Sequence, residues 1–392
     1  MRQTIFITVL GHFGAAFAAL CMPPFYAHIL KQNFSSQALI MAGWYFTLPT
    51  LAAAISNPLW GKLADRIGIR ASLIRAHWGL CLSFIITGMA RTPWEFAFGL
   101  TLQGLLGGTF AASNAFLASL LPSKRLTTLL NVMQGSARTA LFAGPAIIGL
   151  FSEGQNLLHI FFYLAIFPGL AGLVLYFLPA RAGVQPDIGD SEITKSTVSN
   201  SASNRTKTNT NTNTLNASSL YRFQALFTIG TVLTYPYFVI DLAQRLSIPA
   251  AWAGALFGLP HALFLLLAWP MSRHVNFSNA QIALARFSAL TCAGLLLQVL
   301  ANDLPVLITG RILMGAGMTG AYLAINALAA STTRQASAGR HFGKLEGANK
   351  WGAVLAGILA SGLATSLGYT APIWLACAML ASLSILIESK RL

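Results

Sequence analysis

The amino-acid sequence predicts an all-α membrane protein of twelve transmembrane helices in two pseudo-symmetric six-helix bundles. Three observations lead there. Apolar residues make up 55% of the chain and charged residues only 9%, whereas a soluble globular chain carries roughly 25% charged residues. Apolar runs of about 20 residues, enough to cross a bilayer, recur along the whole chain. One segment also occurs twice: Gln134-Gly135-Ser136-Ala137-Arg138 returns half a chain later as Glu346-Gly347-Ala348-Asn349-Lys350. The same offset carries Asn114-Ala115 onto Asn326-Ala327 and Ser119 onto Ser331. Such a repeat reads as two related bundles, and in membrane transporters the substrate site lies between them.

The runs of the first half fall at 5–30, 38–60, 72–90, 95–121, 127–151 and 156–179. Those of the second fall at 221–244, 250–271, 279–301, 304–331, 341–366 and 369–387. Backbone groups in lipid must be paired internally, so each run is read as a helix; period-two alternation, the mark of a barrel, is absent. The run after Met1-Arg2 is too long for a signal peptide and lacks a small-residue cleavage site, so it reads as the first span. Pro23-Pro24, Gly144-Pro145, Tyr235-Pro236 and Leu259-Pro260 are expected to bend or break their helices. Gly104, Gly107 and Gly108 in the fourth run, and Gly315, Gly317 and Gly320 in the tenth, read as sites of close helix packing. From Leu178-Pro179 to Leu220 the chain turns polar, with an Asn/Thr tract at 204–216 that buries too little apolar area to fold. The expected organisation is therefore a bundle over 1–180, a cytoplasmic linker over 181–220 and a second bundle over 221–392.

The net charge of +15 would suit a nucleic-acid binder, but its distribution does not. With both termini cytoplasmic, the inner loops hold Lys62, Arg66, Arg70, Lys124, Arg125, Arg181, Lys195, Arg205, Lys207, Arg222, Arg273, Arg334, Arg340 and Lys344. The outer loops hold Lys31, Arg91 and Arg245. That is the positive-inside bias of a multi-pass membrane protein. The four cysteines lie within predicted spans without CxxC spacing, so neither disulfides nor zinc are expected. A glycine-rich nucleotide loop is absent, and no cofactor is implied.

Between the second and third spans stands Gly61-Lys62-Leu63-Ala64-Asp65-Arg66-Ile67-Gly68-Ile69-Arg70. It resembles the cytoplasmic loop signature of the major facilitator superfamily, G-x-L-a-D-r-x-G-r-k, at the position that family uses. A weaker copy, Trp269-Pro270-Met271-Ser272-Arg273, lacks the acid. Gly144-Pro145-Ala146-Ile147-Ile148-Gly149 in the fifth span is similar to the core of the motif of the family's twelve-span drug/proton antiporters, with Ala140 and Leu141 where leading glycines stand. The Arg that the family often places early in the fourth helix is missing from Phe98–Gln103; the second half has Arg311. The resemblance implies the two-bundle fold, alternating access and no enzymatic activity. Gly61, Asp65, Arg66, Arg70, Gly144 and Pro145 are assigned to gating. Asp65, an acid at a helix end beside cations, would hold the halves closed on the cytoplasmic side.

Charge inside a membrane is costly and marks function. The cations within or near spans are Arg75, Arg138, Arg286, Arg311 and Lys350; the acids are Asp241 and Glu346. Arg75, Arg286 and Arg311 fall near predicted helix ends, from which they could snorkel to the interface. Asp241 and Arg245, one turn apart, read as a structural pair. Arg138 and Lys350 occupy matching places in the two halves, with Glu346 as the single deep acid. This net positive centre favours an anionic, carboxylate-bearing or zwitterionic substrate, which the planar fork of Arg grips by both oxygens. Gln134, Asn114, Asn326, Trp351 and Tyr235 are expected to line the same site. Glu346 is assigned to carry the proton, with His12 and His261 as further candidates of suitable intrinsic affinity.

The expected function is a monomeric, proton-coupled secondary transporter that exports a small polar or anionic molecule, a carboxylate-type siderophore being one such compound. Broad multidrug efflux and organic-anion import are the alternatives. A membrane acyl or glycosyl transferase would need acids or histidines clustered at one membrane face, and ten acids with seven scattered histidines do not supply that.

Overall fold

The computed structural model describes residues 2–34, 41–120, 123–151, 156–178, 217–276, 278–332 and 338–389. Every regular element among them is helical. The first rod is α1 (Arg2–Leu20), a 3-10 turn at Pro23–Phe25 and α2 (Tyr26–Asn33). Then come α3 (Ala42–Ile67), α4 (Ile69–Gly88), a fourth rod of α5 (Pro93–Leu106) and α6 (Thr109–Leu120), α7 (Ser123–Phe151) and α8 (Ile160–Phe177). The second half opens with a rod of α9 (Ala217–Val232) and α10 (Phe238–Arg245). It continues with α11 (Ala250–Ser272), α12 (Ala280–Leu300), α13 (Leu304–Thr332), α14 (Ala338–Leu367) and α15 (Ala371–Ser389). Nine stretches among the described residues are long and apolar enough to cross a membrane. The remaining rods, α3, α7 and α9–α10, stand where the second, fifth and seventh spans were predicted and complete the twelve. They are more polar along the span itself: α3 includes Thr47, Thr50, Ser56 and Asn57, and α7 includes Gln134, Ser136, Arg138 and Thr139. The expected linker lies outside the described residues up to 216; its last residues, from Ala217, already belong to α9.

The predicted helix interruptions are half right. The first and seventh rods break at Pro23-Pro24 and around Tyr235-Pro236, at matching places in the two halves. By contrast α7 and α11 continue through Pro145 and Pro260. The fourth rod breaks where none was expected, at Gly107-Gly108, and Gly108 has φ +82°, a backbone region that glycine enters without steric cost. A helix end in lipid orphans four carbonyls. Here Ser56 Oγ donates to Gly104 O (3.1 Å) and Trp60 Nε1 to Leu105 O (2.6 Å). Arg75 donates to Leu106 O (2.6 Å) and Gly107 O (3.3 Å) while lying 3.6 Å from the Trp60 ring centroid. Arg75 is therefore a cap for a broken helix, not a snorkelling cation. Arg286 is exposed, as its expected place at the interface requires.

Two seams join the halves. Along α7 and α11, Gly149 meets Ala250 and Ala251, Gly254 meets the carbonyl of Pro145, and Gly258 meets that of Phe142; a Cβ on any of these glycines would collide with the facing backbone. Along α3 and α14, Gly43 packs on Gly357 and Ser361, and Gly357 on Thr47. Tyr237 Oη accepts a hydrogen bond from Gly43 N at 3.2 Å, and its ring stacks on Tyr369. Small residues four apart let the backbones touch, which substitutes for a hydrophobic drive that lipid does not provide. Both seams lie where α3 and α11 begin and α7 and α14 end. The opposite end holds Gly68 between α3 and α4, the end of α6 and the start of α7. Among the described residues the close approaches between halves are thus at the end away from the expected gating loop.

Candidate functional site

The α7–α11 seam places the principal cation. Its steps pair Gly149 with Ala250, Pro145 with Gly254 and Phe142 with Gly258. One turn further, Arg138 on α7 meets His261 on α11, with Arg138 Nη1 donating to His261 Nδ1 at 3.3 Å. A guanidinium has donors only, so the imidazole proton sits on Nε2. That nitrogen is 3.4 Å from the Tyr235 hydroxyl oxygen, to which it donates. The Arg138 guanidinium also lies 4.7 Å from the ring centroids of both Phe264 and Tyr322, a cation–π arrangement. Tyr235 packs edge-on against Phe257 and against Phe46 of the other half. The centre of the molecule is therefore a half-buried cation from the first bundle, set into an aromatic socket of the second.

Arg311 sits behind this socket, and the structure corrects its expected place at the interface. It is 1% exposed. Pro260 has no N–H to offer the Leu256 carbonyl four residues earlier, and Arg311 Nε supplies that donor at 2.8 Å. Nη2 donates to Phe257 O at 2.6 Å and Nη1 to Gln298 Oε1 at 3.3 Å, with the Phe238 ring 4.4 Å away. Its bonds tie α13 to α11 and α12. Asp241 and Arg245 form the expected pair at 3.2 Å, and Arg245 also caps α12 through Gln298 O, Val299 O and Ala301 O.

The second repeat of the motif is built differently. Lys350 Nζ is 3.4 Å from Glu346 Oε1. Glu346 is not a deep acid: its side chain is 59% exposed, and it stands two residues into Lys344–Leu367, the stretch of α14 apolar enough to cross a membrane. Asn349, which the repeat aligns with Ala137, joins Thr228 (2.9 Å) and Gln224 (3.4 Å) of α9. This cluster and the sockets Phe264 and Tyr322 escaped the sequence reading; only a polar residue facing across two helices marks the first. Trp351, expected to line the site, shares an exposed apolar stripe with Leu355 and Leu359 on α14 and faces away. Asn114, Gln134 and Asn326 lie on exposed faces toward the end where the seams are absent.

At that end Arg70 donates to the carbonyls of Leu175 (2.9 Å), Tyr176 (3.3 Å) and Leu178, capping α8. Arg66 and Gly61 are exposed, and the Asp65 side chain lies outside the described residues. Gly144 packs on Cys21, at the break in the first rod just after α1. His12 is buried between α1 and α6, edge-on to Phe110 with centroids 4.7 Å apart.

Twelve helical rods, a two-fold sequence repeat and a charged centre on the seam between halves define a multi-pass carrier. A sequence model of the Major Facilitator Superfamily matches residues 4–297; the chain belongs to that superfamily, a family of membrane transporters and not of enzymes. It is 30% identical over 276 residues to the multidrug resistance protein MdtG of Klebsiella pneumoniae, covering 69% of this chain and 65% of that protein. Identity to MdtG of Yersinia enterocolitica is 33% over 168 residues, 42% of this chain and 40% of that one. The matched stretch thus spans less than two thirds of either relative. Among solved structures it resembles the D-xylose-proton symporter (TM-score 0.74, 12% identity, 98% and 96% of the two chains covered). It also resembles the human organic anion transporter MFSD10 (0.65, 16%, 98% and 99%). At these identities the likeness is one of fold.

Proposed function

We propose that this chain is a bacterial inner-membrane exporter that moves a small amphiphilic molecule bearing a carboxylate or similar anionic group, by alternating access and in exchange for protons. The observation that carries this reading is the setting of Arg138. Its described partners are one imidazole nitrogen and two aromatic faces, and no carboxylate pairs with it among the described residues. A carboxylate entering there replaces a neutral acceptor with a charged one and forms the stronger, two-pronged bond. Phe264, Tyr322 and Tyr235 give the apolar part of the substrate rings to lie against. With the termini and linker on the cytoplasmic side, the seams close the outer end and the site faces the cytoplasm, ready to load. A carboxylate-type siderophore is one compound of this chemistry.

Broad multidrug efflux is the second reading. It is supported by the name of the relatives and by the aromatic socket, which accepts rings of many shapes. Inverted vesicles under an imposed proton gradient separate the two, with carboxyfluorescein as the anionic probe and ethidium as the cationic one. The expected result is carboxyfluorescein transport that is lost in Arg138→Gln and partly kept in Arg138→Lys. Ethidium transport alone, unchanged by Arg138→Gln, would leave only the multidrug reading.

A further inference from the structure

We propose that His12 and His77 together form the proton-binding site of this carrier, inside the first bundle and apart from Arg138. The inference rests on the proton coupling proposed above and names its carrier. Both rings are buried, 2% and 1% exposed, on α1 and α4. His77 Nδ1 is 3.0 Å from the carbonyl of Leu73, an acceptor, so the ring proton is on Nδ1 and Nε2 presents a lone pair. That Nε2 has no hydrogen-bond partner, and neither does His12 Nδ1. Buried polar atoms are almost always paired, so two orphan imidazole nitrogens in one bundle call for an explanation.

Glycine brings the two together. A Cβ on Gly11, the residue before His12, would stand 3.4 Å from His77 Nε2, and one on Gly172 of α8 would stand 3.3 Å from His77 Cβ. The rings sense each other electrostatically, and His12 also reaches the backbone of Met133 on α7. The Gly11 carbonyl lies beside His77. From α6 the neighbour of His12 is the apolar ring of Phe110. Of the charged groups on the elements packed around them, Arg75 is held at the α5 break and Arg138 in the opposite bundle's socket. Among the described residues, neither ring forms an ion pair with a carboxylate. A proton bound at His77 Nε2 gains the Gly11 carbonyl as acceptor, and its charge disfavours a second proton on His12, because like charges repel. Met133 lies five residues before Arg138 on α7, about 7.5 Å along the helix axis, so the protonated pair and the substrate cation share one rod.

The test uses the full-length purified chain in unbuffered detergent solution, where a pH-indicator dye reads proton release on adding carboxyfluorescein, and proteoliposomes, where carboxyfluorescein counterflow needs no proton gradient. The expected result is proton release by the wild type that is lost in His12→Asn and in His77→Gln, with counterflow retained in both. Release that persists in both variants overturns the assignment, as does its loss in Glu346→Gln with the histidine variants unaffected. Where a histidine variant does not fold, the wild type decides: imidazole nitrogen resonances of His12 and His77 that never show a protonated ring between pH 8 and 5, with and without carboxyfluorescein, also overturn it. A wild type that moves carboxyfluorescein uphill without any proton release instead defeats the proton coupling itself.

Discussion

If Arg311 is the surrogate donor for the bond Pro260 cannot make, the two residues are energetically coupled. In the native chain Leu256 O is served by Arg311 Nε at 2.8 Å. Pro260→Ala alone offers that oxygen a second donor and gains little from it. In an Arg311→Leu background the same oxygen is buried and orphaned, and Pro260→Ala returns its helical N–H. An unpaired buried carbonyl costs about 1–3 kcal/mol, so Pro260→Ala should stabilise the Arg311→Leu protein by about that much more than it stabilises the wild type. The absolute effect of Arg311→Leu is less informative, because relief of the buried charge opposes the lost bonds. The assay is SDS-titrated unfolding of the four purified proteins, followed by tryptophan fluorescence. Effects that add to within about 0.5 kcal/mol, the usual behaviour of independent sites, would refute the surrogate-donor account.

Gly254→Val should force α7 and α11 apart, since a Cβ there meets the Pro145 carbonyl, and overpacking of this kind costs about 1–3 kcal/mol; spin labels at Phe151 and Trp252 should report a longer distance. Tyr322→Leu and Phe264→Leu each remove one ring from the Arg138 guanidinium. Each should raise the KM for carboxyfluorescein by about two- to fivefold, the worth of one cation–π contact of about 0.5–1 kcal/mol, without loss of folded protein on size exclusion. Trp351→Ala, on the exposed stripe of α14, should leave vesicle transport of the same dye unchanged.

The fold was legible because lipid allows so little choice. A run such as 279–301, apolar over most of its length, has one way to satisfy its backbone, and α12 is that helix. Pro23-Pro24 and Tyr235-Pro236 marked real breaks, but Pro145 and Pro260 did not. The difference at Pro260 lies in a residue about fifty positions away, Arg311, whose guanidinium makes the missing donor unnecessary. Gly107-Gly108 failed to announce its break for a related reason: Ser56, Trp60 and Arg75 stand on two other helices. For the site, the repeat led to Arg138 and Lys350, since cations in apolar helices stand out in any sequence. Their surroundings depend on register between helices, which periodicity within a helix does not carry. Glu346 looked deep because the apolar run was taken to begin at 341, yet the stretch of α14 apolar enough to cross a membrane begins only at Lys344, two residues before it.

The seam between α7 and α11 works like a toothed closure whose last tooth is electrically charged. Every step of it, from Gly149 down to Phe142, is backbone against backbone, and the next contact is the guanidinium of Arg138 lodged among Phe264, Tyr322 and His261. Parting these two helices therefore does two things at once: it opens the far side of the molecule and strips a cation of its companions. An empty carrier makes that passage with an unaccompanied charge, whereas one carrying the anionic substrate proposed above takes a counter-ion along. The same geometry that seals the barrier thus discourages idle cycling, and ties the movement of the bundles to the presence of cargo.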